Sequence, residues 1–128
     1  MNTLNEGPRD LAFLLSEGNG SVSRDVRTIA AGAGVLAAGT VLGTITANGK
    51  FVASPNAEVE GLEGAEVARA ILAYGVDATS ADVQAVVIDG VGGVEVKGPM
   101  LLFHPSVDNT TKRNAKLAQL RAAGIKSR

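Results

Sequence analysis

The chain has 128 residues, no cysteine, no tryptophan and a formal net charge of −1. That length suits one domain, and the missing thiols exclude a disulfide framework, a thiolate metal site and a cysteine nucleophile. At this size roughly two-thirds of the unfolded surface is buried on folding, so the core is modest and oligomerisation adds useful stability.

Charge is unevenly placed. Residues 109–128 hold Lys112, Arg113, Lys116, Arg121, Lys126 and Arg128 and no acid; the other six of the 12 basic residues stand against all 13 acids, so the body is about −7 and the C-terminal segment +6. Such a segment reads as a solvated helix whose cations complement its dipole, or as a surface that docks on an acidic protein. Nucleic acid is disfavoured, because an acidic body repels a polyanion and no aromatic interrupts the basic residues. Residues 1–20 carry no apolar run behind a basic start, and nowhere is there a span near the ~20 apolar residues a bilayer needs. The expectation is a soluble protein made in the cytoplasm.

In chain order, residues 1–25 read as an N-terminal arm. Met1 to Asp10 is mixed polar, Leu11-Ala12-Phe13-Leu14-Leu15 is a short apolar run, and Ser16 to Ser21 is turn-rich. The apolar run is either an edge strand on its own domain or an extended segment that adds to a partner's sheet. From Val26 the pattern becomes β, with strands expected over Val26 to Ala30 and Thr40 to Thr46. Asn48-Gly49 then signals a tight hairpin into Lys50 to Ala53, since both residue types tolerate positive φ. Residues 54–66 form a polar loop with Glu58, Glu60, Glu63 and Glu66. Val67 to Tyr74 carries helical spacing as well as the look of a buried strand, and the strand reading is preferred. Val83 to Ile88, Gly93 to Lys97 and Met100 to Phe103 read as further strands. Asp108 or Asn109 can cap a helix over about 109–123, with Gly124 in the left-handed position beyond it and Ile125 placed to touch Leu120. The predicted fold is α+β and β-rich: an arm over 1–25, then a small mixed β domain over 26–128 ending in a short helix.

Chemistry appears only in imitation. Gly32-Ala33-Gly34-Val35-Leu36-Ala37 fits the glycine fingerprint of dinucleotide sites, but the residues after it are β-branched and glycine-rich where that site needs a helix. It reads as a glycine-rich turn between strands. Gly49-Lys50 lacks the rest of a phosphate-binding loop. His104 is the only histidine and reads as a loop or interface residue; Asp77, Asp82 and Asp89 lack calcium-loop spacing, and the acids of residues 58–66 do not define a catalytic pair. No enzyme, cofactor or small-molecule substrate is indicated.

Several motifs carry a resemblance along nearly the whole chain. They are the opening Phe13-Leu14-Leu15-Ser16-Glu17-Gly18-Asn19-Gly20, then Thr40-Val41-Leu42-Gly43, the Asn-Gly turn, Ala70-Ile71-Leu72 with Asp77-Ala78-Thr79, and finally His104-Pro105 leading to Thr111-Lys112-Arg113, Ala115 and Gly124-Ile125. This order is similar to the lambda-like head decoration proteins of tailed bacteriophages, whose short members have Trp where His104 stands. The resemblance implies a homotrimer on three-fold and quasi-three-fold positions of the expanded shell. It would sit on the outer surface of the virion head, bind the major capsid protein and stabilise the shell against packaged DNA. It implies no catalysis, no nucleic acid and no membrane as partner. On that reading both termini face the shell, Leu11, Phe13, Leu14 and Leu15 make apolar arm contacts, and Lys112, Arg113 and Lys116 face acidic capsid surface. Another oligomeric phage module, of a tail or an adhesion device, is the alternative.

Overall fold

The computed structural model describes residues 14–17, 24–89 and 94–127, with residues 14–17 and 24 as backbone alone. Ten strands and one α-helix follow in order: β1 (Leu14–Glu17), β2 (Arg24–Ile29), β3 (Gly34–Leu36), β4 (Val41–Thr44), β5 (Phe51–Ala53), β6 (Ala68–Leu72), β7 (Val76–Ala78), β8 (Val83–Ile88), β9 (Val94–Val96), α1 (Thr110–Ala122) and β10 (Ile125–Ser127). Strands β2-β5-β4-β6-β8 close into a barrel, β3 and β7 form a two-stranded ribbon, and β1-β9-β10 make a small sheet. The fold is thus mostly β with one short C-terminal helix, as expected.

Barrel closure follows from alternating faces. On β6, Ala70 and Leu72 point into the cluster that holds Ile29, Leu42, Phe51, Ala85 and Val87, whereas Ile71 points to a second cluster with Val41, Ile88, Val94, Val96, Leu120 and Ile125. Successive side chains leave a strand on opposite faces, so a strand buried on both sides is apolar at every such position. This is why Val67 to Tyr74 carried an ambiguous pattern, and the structure resolves it as strand.

The hairpin expected at Asn48-Gly49 is present, with β4 and β5 antiparallel and Thr44 opposite Phe51. Its turn is wider than a two-residue one. Ile45 N–H donates to the Lys50 carbonyl at 2.8 Å and Gly49 N–H to the Ile45 carbonyl at 2.8 Å, and Gly49 alone takes positive φ, +73°. Asn48 instead accepts the Lys50 N–H on its side-chain oxygen at 2.9 Å, which closes the loop without a left-handed backbone at the asparagine.

The short strand expected over Met100 to Phe103 is corrected. Pro99 sits early in a 3-10 turn over Gly98–Met100, and pairing survives only as a bridge between Leu102 and Thr40. Proline supplies no ladder donor and favours such a turn. The helix begins on Asn109, whose side chain accepts the Lys112 N–H at 2.9 Å, and ends before Gly124, which has φ +98° and donates to the Arg121 carbonyl at 3.0 Å. Leu120 and Ile125 share one buried cluster, and Ile125 also opens β10. Strands β3, β7 and β10 were not anticipated; each is three residues long.

Candidate docking surfaces

The small sheet brings the two ends of the described chain together. β9 is its centre, with β1 antiparallel on one side (Leu14 opposite Val96, Glu17 opposite Val94) and β10 parallel on the other. Leu14 and Leu15 therefore lie in an edge strand on their own domain. Leu11 and Phe13 lie outside the described residues. β2 begins at Arg24, two residues before the strand start expected at Val26.

The basic residues separate into three situations. Lys116 is 1% exposed, and its ammonium donates to Ser54 Oγ at 2.9 Å, to the Pro55 carbonyl at 2.6 Å and to the Glu66 carbonyl. The expectation that it faces the capsid is therefore corrected: its charge is enclosed by its own chain. Burial pushes its pKa down, opposed by the Glu66 carboxylate. Residue type hid this; the one signal in the sequence was its spacing, one turn before Leu120 on α1, and the burial of that face came from the tertiary structure. Lys112 is half-buried and pairs with Asp108 at 2.9 Å, which holds that carboxyl below the usual range. Arg113 is exposed and its guanidinium has no ion pair among the described residues.

Arg113 lines an open cleft of about 360 Å³ together with Pro99, Leu102, Pro105, Val107 and His104. The Ser106 N–H donates to His104 Nδ1 at 3.1 Å, and the Ser106 hydroxyl lies 2.8 Å from the same nitrogen. An acceptor at Nδ1 assigns the proton of the neutral ring to Nε2. Burial, helped by the charge of Lys116, pushes the His104 pKa down from its ordinary value. Sequence reasoning placed His104 in a loop or interface; it did not find the cleft, which forms only when the 3-10 turn, the Pro105 turn and α1 meet.

Beside the cleft runs the acidic loop. Its root is tied down by Asn56 N–H donating to Ser106 Oγ at 2.8 Å, while Glu58, Val59 and Glu60 are exposed. The glycine fingerprint is answered directly: after Gly32 the chain enters β3 at Gly34, paired with β7, where a dinucleotide site needs a helix N-terminus. Among the described residues no three His, Cys, Asp or Glu side chains gather into a metal-binding group.

The described residues thus form a small barrel with a C-terminal helix and a three-stranded sheet at its margin, without a metal-binding cluster, which is the architecture of a small structural domain. The family model described as Bacteriophage lambda head decoration protein D matches residues 3–125, and the chain belongs to that family. Membership gives it a capsid-decoration role, association with the capsid and a place in the virion, as a structural phage protein. No curated protein matches the chain.

Proposed function

We propose that the protein coats the outside of the expanded phage head as homotrimers at three-fold and quasi-three-fold positions and stiffens it against the pressure of packaged DNA. The observation that carries this reading is the family match over residues 3–125, which takes in arm, barrel and helix together. The sheet order supports it: both terminal segments flank β9, so a single face of the domain can present both to a shell. Among the described residues β1 is paired on one side alone, and its other edge is the one proposed to join strands of the major capsid protein. Leu11, Phe13, Leu14 and Leu15 are the arm residues proposed for apolar contact. Lys112 is the cation proposed for the acidic shell surface, since its partner Asp108 is solvent-exposed and water screening lets the pair exchange readily. Three arms on one trimer raise the effective concentration of each, so weak contacts sum to tight, geometry-dependent binding.

Cosedimentation with stripped shells tests this. Saturable binding to expanded shells alone, in multiples of three, is expected. Binding to neither expanded nor unexpanded shells would remove the decoration role on heads and favour a tail or adhesion module.

A further inference from the structure

The cleft and the acidic loop carry complementary charge on one chain, and neither Arg113 nor Glu58 and Glu60 form an ion pair among the described residues. The cleft has apolar walls from Pro99, Leu102, Pro105 and Val107, with Leu102 46% exposed, and its sole formal charge is Arg113. His104 adds an uncharged N–H donor at Nε2, for which no partner exists among the described residues. The loop offers the opposite: two carboxylates, Glu58 and Glu60, flanking Val59, which is 40% exposed. Neither carboxylate forms an ion pair among the described residues, although the loop root is bonded through Asn56 and Ser106 to the wall of that same cleft.

We propose that residues 58–60 of one copy dock in the Arg113–His104 cleft of the next, so that the homotrimer closes through this contact repeated three times. The proposal rests on the homotrimer reading above and names its interface. A rotationally closed ring uses two different patches on each subunit, and around a three-fold axis those patches lie on neighbouring faces of a wedge. The Asn56–Ser106 bond ties the root of the acidic loop to the segment that carries His104, so the two patches belong to adjoining segments of one subunit. Carboxylate on guanidinium in an apolar-walled cleft is a charge-assisted contact sheltered from water, stronger than an exposed pair. Val59 against Leu102 removes two exposed apolar side chains from solvent. A nucleic acid is a poor occupant, because one cation serves the cleft and the loop beside it carries like charge to phosphate.

Charge reversal tests the contact. The full chain is compared as wild type, Arg113→Glu, the pair Glu58→Arg with Glu60→Arg, and all three changes together. Assembly is read by sedimentation in solution and by chemical cross-linking on expanded shells. All altered residues are exposed, and thermal melting checks that each variant folds. Each separate reversal is expected to weaken trimer association about tenfold or more, since facing like charges oppose docking, and the combined chain is expected to recover it. Trimers of Arg113→Glu as tight as wild type would overturn the contact while leaving the homotrimer intact. A combined chain no better than the separate reversals would overturn it equally. A wild type that is monomeric both in solution and on shells would overturn the homotrimer reading, and this interface with it.

Discussion

The ammonium of Lys116 donates to the carbonyl of Pro55 at 2.6 Å, joining α1 to the start of the acidic loop across 61 positions of sequence. With Ser54 Oγ and the Glu66 carbonyl it clamps both ends of that loop under the helix. The same strap is reinforced by Gln119, which accepts the Ala68 N–H on Oε1 at 2.8 Å.

Lys116→Met keeps the buried stem and removes the donor, leaving the Pro55 and Glu66 carbonyls without it. Loss of about 2–4 kcal/mol is expected, because buried acceptors left unmade cost roughly 1–3 kcal/mol each. The urea midpoint measures this, with an unchanged slope. A loss within about 0.5 kcal/mol is what a solvated lysine would give and would contradict the clamp.

Gly43 is fixed by contact, not by backbone angle. A Cβ there would lie 2.7 Å from the Ala65 carbonyl carbon and 2.8 Å from its Cα, and closer still to the oxygen. Ala65 cannot yield easily, since its carbonyl accepts from Ser54 Oγ at 2.7 Å. Gly43→Ala is expected to cost roughly 3 kcal/mol or more. Gly49→Ala meets open space and only the strain of φ +73°, so about 1 kcal/mol is expected. Thermal melting of the two variants should rank them in that order.

Acid lability has a named contributor. The Lys50 ammonium, then the Ala31 N–H, hold the Asp82 carboxyl below its ordinary value of 3.8. A depressed folded pKa adds stability that is present above the unfolded value and is lost as pH falls through the folded one. Asp82→Asn should therefore show a shallower decline in melting temperature below about pH 5. A decline as steep as wild type would remove Asp82 from the acid response.

Deleting residues 1–20 removes β1 but no barrel strand. Melting should remain cooperative, while cosedimentation with expanded shells is lost. Binding that survives the deletion would exclude Leu11, Phe13, Leu14 and Leu15 from the docking surface. Lys112→Ala is expected to flatten the salt dependence of binding by the intact chain, because it removes a charge from the interface.

Local rules carried well where the cause is local. The Asn109 cap, the Gly124 terminus and the strand periods of β2 and β8 follow from residue types a few positions apart. The Asn48-Gly49 hairpin formed as expected, although its turn is wider and the Asn side chain took over a role that a left-handed backbone would otherwise fill. The local rules failed at Met100 to Phe103, where the 3-10 turn around Pro99 replaced a ladder.

Read alone, the amino-acid order determined a β-rich domain with a capped C-terminal helix, and its motifs matched the head decoration family. Tertiary structure alone decided that Lys116 is enclosed, that Arg113 turns to a cleft beside His104, and that both terminal segments share β9. The reason is one of range. Caps, turns and periodicity are settled within a few residues, whereas the environment of a charge depends on which distant carbonyls and walls the closed barrel brings to it.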